Sequence, residues 1–327
     1  MLNQFKTNRP YNSFLLFVYG LVLCWSALAK PFVLIAEKGD GFGWRLIMQF
    51  LSLKNGHSNF ALALFFMVMV FTLALLINRL SILQRLFTRL HYLTGMSFLL
   101  LLSVLVSRFA FSSSLFSCVL LLSMLNKTAS LQNATNPKTD IFNIALVFGL
   151  ASTFFAPSIW FLSVLMLSMI FSRPFKLNEW LLMVVGFLTP YYFFYTVSFI
   201  AGNKIENFEI LFRLHKPSIA LSLAESVLYL FLIVLVTVGM YYVQFNMRRL
   251  LVQSRKTWSL LTLWMIVGVL IPFLNSDFQF CDFIFLLPPL AAFISAFFCY
   301  QPKSWISVVL HWLVIALSIV IGVENLY

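Results

Sequence analysis

The sequence predicts an all-α fold, a polytopic transmembrane helix bundle that forms one integral membrane domain over residues 1–327. Composition is the first reason: 61% of residues are hydrophobic, 10% are charged, and the mean hydropathy is +0.95. A soluble domain of that make-up would lack the polar surface to cover itself. The second reason is a series of apolar runs, each long enough, or nearly so, to cross a hydrocarbon core of ~30 Å at ~1.5 Å per residue. The third is the placing of the basic residues: although the formal charge is +12, they sit in short clusters between apolar runs instead of one stripe. That pattern excludes a nucleic-acid surface and marks membrane topology.

Taken in order, Lys6 and Arg9 precede a first run, Phe14–Ala29, whose end, Ser26-Ala-Leu-Ala29, also fits a cleavable leader. Because apolar character resumes over Pro31–Ala36, the run reads as a retained span. Further spans follow at Phe60–Ile77, Leu93–Ser107, Ser112–Leu125, Ile141–Ala156, Ser158–Phe171, Trp180–Ile200, Ile219–Val243, Trp258–Leu274, Phe283–Tyr300 and Trp305–Val323, about eleven in all. Two pairs among them turn tightly, at Arg108 and at Pro157. Between the second and third spans, Leu83, Leu86, Phe87 and Leu90 share one helical face with Arg85 and Arg89 displaced from it. That spacing predicts a helix at the membrane surface, a basic anchor or a lipid-head-group site.

Cytoplasmic loops of membrane proteins are enriched in Lys and Arg. With the amino terminus cytoplasmic, 14 of the 22 basic residues fall inside, among them Arg79, Arg85, Arg89, Arg173, Lys176, Arg248, Arg249, Arg255, Lys256 and Lys303. Of the acids, only Asp140 and Glu179 accompany them, and Glu225 lies within a span. An odd number of spans then puts the carboxyl terminus outside. The expected setting is a bacterial cytoplasmic (inner) membrane.

The four cysteines show no CxxC spacing and read as small core residues. The four histidines are too scattered for a local metal arrangement, and neither a metal nor a cofactor is expected.

Chemistry concentrates in the predicted outer loops. In the first, Lys30 to Ser58, Glu37 and Asp40 lie in or beside the glycine-rich turn Lys38-Gly-Asp-Gly-Phe-Gly43, whose small residues permit close approach. Trp44, Ile47, Met48 and Leu51 then recur at the spacing of an amphipathic, interfacial helix. A second loop, Gly202 to Ser218, carries Lys204, Glu206, Glu209, Arg213, His215 and Lys216; a third, Asn275 to Asp282, carries Asp277 and Asp282. A carboxylate with clustered cations suits transfer from a lipid-linked phosphate, as base and as charge for the leaving group. The bland alternative is equally physical: Glu209 and Arg213 at i, i+4 can simply brace a surface helix. Glu225, the acid inside a span, is a functional candidate by its cost in lipid, or else a hydrogen-bonding partner of a neighbouring helix.

Two resemblances follow. The stretch Phe148-Gly-Leu-Ala-Ser-Thr-Phe-Phe-Ala-Pro157, with Arg173-Pro-Phe-Lys-Leu-Asn-Glu-Trp180 and Gly186-Phe-Leu-Thr-Pro-Tyr-Tyr192, resembles an uncharacterised bacterial family of multi-pass membrane proteins with no assigned activity. More weakly, the predicted topology, the first loop with Asp40 and the late segment Phe285-Leu-Leu-Pro-Pro-Leu290 resemble the GT-C glycosyltransferases, which use polyprenyl-phosphate sugars outside the membrane. That likeness implies Asp40 as catalytic base and Glu37 as its helper, with Lys204, Arg213, His215 and Lys216 binding the donor phosphate, although the first loop lacks the adjacent acid pair of that group. The partners so implied are membrane lipids and a lipid-linked sugar donor. The alternative is a non-enzymatic subunit or scaffold of a cell-envelope complex with protein partners. A small-molecule transporter using Glu225 is the third expectation.

Overall fold

The computed structural model describes residues 2–7, 9–25, 39–52, 59–105, 112–131, 134, 136–200, 223–275 and 280–324. Apart from turns and one isolated β-bridge, these residues are helical. The α-helices, in chain order, are α1 (Leu2–Phe5), α2 (Tyr11–Leu23), α3 (Phe42–Ser52), α4 (Asn59–Leu83), α5 (Leu93–Leu105), α6 (Ser113–Ser130), α7 (Pro137–Phe154), α8 (Leu162–Ser172), α9 (Leu177–Ile200), α10 (Leu223–Asn246), α11 (Val252–Leu274), α12 (Leu287–Tyr300) and α13 (Ser304–Glu324).

Four stretches, Leu62–Leu83, Leu177–Ile200, Glu225–Arg249 and Val252–Leu274, are long and apolar enough to cross a membrane, and shorter apolar helices accompany them. The outer faces agree with a lipid solvent. On α9, Leu181, Val184, Val185 and Leu188 are exposed, as are Val227, Leu230, Ile233 and Val234 on α10 and Val309, Trp312 and Leu313 on α13. A water-soluble monomer rarely leaves apolar faces of that extent uncovered, whereas hydrocarbon accepts them without cost.

Within the bundle, small residues let helix backbones touch. A Cβ on Gly149 of α7 would overlap the carbonyl oxygen of Phe187, and one on Gly186 of α9 would lie 2.8 Å from that of Phe142. The two glycines thus clear the α7–α9 contact from both sides. Tyr191 on α9 adds a hydrogen bond of 2.7 Å to the Ser152 hydroxyl of α7.

The tight turn expected at Pro157 is present. Helix α7 stops at Phe154, Phe155 is extended (φ −132°, ψ 106°), and a 3₁₀ turn over Ala156–Phe161 leads into α8. Pro157 has no N–H to continue the α7 ladder, and the Ala156 amide before it turns to the Gly39 carbonyl at 3.1 Å instead.

The surface helix expected between Asn78 and Tyr92 is absent. Helix α4 ends at Leu83, and residues 84–92 run as turns and bends, with Arg85 at φ 48°. The cause is tertiary: the Ser254 hydroxyl donates to the carbonyls of Gln84 and Arg85 (3.0 and 2.7 Å), and Trp258 Nε1 donates to that of Leu86 at 3.3 Å. Those carbonyls are spoken for by α11, so no helix closes over them. Leu86 and Phe87 turn into the core, while Leu83 and Leu90 stay exposed.

The connections gather at two ends. At one, Gln84 accepts from Gln253 Nε2 (2.7 Å) and donates to Asn126 Oδ1 (2.8 Å), the Tyr92 amide donates to the Phe5 carbonyl (2.8 Å), and Arg173 reaches the Leu131 carbonyl at 3.3 Å. This is the end of Lys6, Arg85, Arg89, Lys127, Arg173 and Arg255. At the other, residues 39–41, 153–156, Asn275 and 280–285 meet. Helix α11, 23 residues or ~34 Å long, runs from the first end to the second.

Candidate functional site

The second end holds the candidate site, built on the bridge between Asp40 and Phe155. The Gly41 amide donates to the Phe154 carbonyl at 2.8 Å, and the Ala156 amide donates to the Gly39 carbonyl at 3.1 Å. Residues 39–41 are thereby laid antiparallel along the break after α7, whose freed backbone groups they satisfy. The glycines are required by space. A Cβ on Gly39 would lie 2.5 Å from Asn275 Oδ1, and one on Gly41 would overlap the Thr153 carbonyl. The close approach expected of the glycine-rich turn is therefore made to other parts of this same chain.

Asn275 immediately follows α11. Its side-chain Nδ2 donates to Asp282 Oδ2 at 2.7 Å, and both side chains are buried. That bond fixes which way the amide faces. Asp282 lies on the 3₁₀ turn Phe280–Phe285, which Trp264 Nε1 anchors by donating to the Phe285 carbonyl at 2.8 Å. The Phe285 ring stacks on that of Phe155, centroids 5.6 Å apart. Three stretches distant in sequence thus meet at one junction: Gly39, next to the buried Asp40, rests on Asn275, and Asn275 holds the buried Asp282.

Asp40 is 4% exposed, so a substrate would have to enter alongside the bridge. Helix α3 closes this end from the side. Its predicted apolar face does not simply float at an interface: Trp44 is buried, its ring 6.4 Å from that of Phe116, and Ile47 and Met48 pack on the core.

The other predicted site residues fall as follows. Glu37, Lys204, Arg213, His215 and Lys216 lie outside the described residues. Glu225 is the third residue of α10 and is buried; in a first helical turn its carboxylate lies where the backbone N–H groups and helix dipole favour negative charge. Among the described residues no three His, Cys, Asp or Glu side chains are grouped to hold a metal ion. Cys24, Cys118 and Cys281 are buried.

Asn275 and His311 were not singled out by sequence. Asn275 could have been suspected from its place directly after a span. His311 lies inside the predicted span Trp305–Val323, where an imidazole is as conspicuous as an acid. A third histidine, His91, sits at the basic end against Phe87, ring centroids 4.5 Å apart. Burial pushes its pKa down to about 4, with the charge of Lys6 acting in the same direction.

Compared with known proteins, the chain matches no family model, no curated protein and no solved structure.

Proposed function

We propose that the chain is a GT-C-like transferase that uses a lipid-linked sugar on the external side of a bacterial cytoplasmic membrane. The observation that carries this reading is the junction of Asp40, Asn275 and Asp282 at the end of the bundle away from the basic connections. Basic connections favour the cytoplasmic side, which supports an external position for the acids, about eleven spans, a cytoplasmic amino terminus and an external carboxyl terminus. Asp40 serves as base toward the acceptor hydroxyl with Glu37 as its helper. Lys204, Arg213, His215 and Lys216 meet the donor phosphate, whose departing charge they offset.

The test is transfer of labelled sugar from a polyprenyl-phosphate donor in membranes that contain the full chain or its Asp40→Asn variant. A general base contributes ~10²- to 10⁴-fold, so the variant should lose at least ~100-fold while remaining folded. Equal activity of the two proteins, or none in the parent, would sink the reading.

A second reading, a non-enzymatic subunit of an envelope complex, is favoured by the 4% exposure of Asp40 and by the pairing of its backbone with Phe155. It expects the Asp40→Asn variant to behave as the parent and to co-purify with the same protein partner.

A further inference from the structure

A different part of the bundle holds polar groups that its apolar surroundings leave unanswered. His311, on α13, is 1% exposed, and neither of its ring nitrogens has a hydrogen-bond partner among the described residues. One turn earlier on the same face, the Ser307 hydroxyl is fully buried and likewise without a partner among them. The Tyr19 phenol, on α2, is 5% exposed and its hydroxyl is in the same condition. The three belong together: the Tyr19 ring stacks on the His311 ring, centroids 5.9 Å apart and 18° from parallel, and residues four apart on a helix have Cβ atoms ~5–6 Å from each other.

Ring contacts do not answer these groups. Phe298 meets the His311 ring edge-on at 6.3 Å and Phe5 meets that of Tyr19 at 5.8 Å, but imidazole nitrogens and a phenolic hydroxyl point outward in the ring plane. Left dry, each such group forfeits the hydrogen bonds it makes with water, and several together would oppose folding of the bundle. A water molecule, which typically makes about three hydrogen bonds in a buried site, fits a neutral imidazole, a serine hydroxyl and a phenol as donors and acceptors.

We propose that Tyr19, Ser307 and His311 form a hydrated site inside the helix bundle, in which bound water joins the imidazole to the two hydroxyls. The site lies ~10 Å along α13 from its first residue, Ser304, and so nearer the basic end. It gives the apolar bundle a titratable group that water reaches. The charged or titratable groups that act on it are few. Tyr19 faces it from α2, and the buried Cys24 lies near Tyr19. Helix α5 has no titratable residue, α12 presents Phe298, and on α10 Tyr242 is already bound to Gln301 Oε1 at 2.6 Å while Tyr241 is exposed.

The experiment is solid-state NMR of the full chain in lipid bilayers with ¹⁵N-labelled histidine. His57, His91 and His215 are replaced by Gln, so that His311 is the sole imidazole. Water-edited transfer should reach the His311 nitrogens, which should show hydrogen-bonded shifts, and Tyr19→Phe and Ser307→Ala should each move them. Should the triple variant fail to assemble, the difference between the parent and His311→Gln spectra supplies the same resonances. No transfer from water, with shifts of a free imidazole that neither variant changes, would overturn the proposal.

Discussion

Arg173 Nε lies 3.3 Å from Glu179 Oε2, across the start of α9, with the glutamate side chain 4% exposed. The same guanidinium donates through Nη1 to the Leu131 carbonyl just beyond α6. Two residues inside the same sequence element, Phe175 and Trp180, bring their rings to 5.7 Å. The element Arg173–Trp180 is thus a clasp between helices at the basic end, well away from Asp40 and Asp282.

Replacing Arg173 by Ala should cost about 2–3 kcal/mol, because it removes a charge-assisted partner from a buried carboxylate. Replacing Glu179 by Gln in the same chain should restore part of that loss. Equilibrium unfolding in mixed detergent checks both, and equal losses in the single and double variants would show that the pair is not coupled.

The glycines beside Asp40 should rank by what their new methyl group meets. Gly41→Ala collides with the Thr153 backbone and Gly39→Ala with the Asn275 side chain, which can move; Gly43→Ala would lie 3.2 Å from the Phe154 ring. Losses of about 3 kcal/mol for Gly41→Ala, about 1–2 for Gly39→Ala and under ~1 for Gly43→Ala are expected from overpacking. Melting temperatures of the three variants give the order directly, and an unaffected Gly41→Ala would remove the tight junction drawn for residues 39–41.

Arg85 holds a left-handed backbone at φ 48°, which costs a residue with a Cβ ~1 kcal/mol. Arg85→Gly should therefore stabilise the protein by about 0.5–1 kcal/mol, the unusual case of a gain from glycine. Ser254→Ala should act in the opposite sense, since its hydroxyl is what holds the Gln84 and Arg85 carbonyls in that turn. Both follow from the same unfolding curves.

His91 sets a dependence on pH. Its folded pKa, about 4, lies below the ordinary value of 6.5, so below pH 6.5 the unfolded chain takes up a proton that the folded one refuses. Stability is full above that value and falls as pH drops through the window toward 4, with a slope of at most ~1.4 kcal/mol per pH unit. In His91→Phe that part of the slope should vanish; an unchanged slope would show that other groups dominate.

Helix positions were legible because span length and apolarity are local properties of the chain. Trp258–Leu274 was read from hydropathy, and the helix runs Val252–Leu274, extended at the polar end where hydropathy gives no signal. Pro157 announced its own break. What misled was periodicity in residues 83–90: Leu83, Leu86, Phe87 and Leu90 fit a helix, but Ser254 and Trp258, far along the chain, claim the carbonyls such a helix needs. The same blindness to distant partners hid the site. Asp40, Asn275 and Asp282 were each visible as polar residues in loops, yet nothing local says that Gly39 rests on Asn275.

Helix α11 joins the two ends of the bundle as a rod fastened at both: Gln253 and Ser254 hold its first turn to Gln84 and Arg85, and Asn275, just past its last, is wedged between Gly39 and Asp282. Membrane helices usually meet a change in bilayer thickness by tilting. A rod of ~34 Å with both tips engaged tilts only by dragging one of its fastenings, so lipid chain length acts on the Asp40 junction through α11. Bilayer thickness thereby becomes a mechanical input to the contact between Asn275 and the chain beside Asp40.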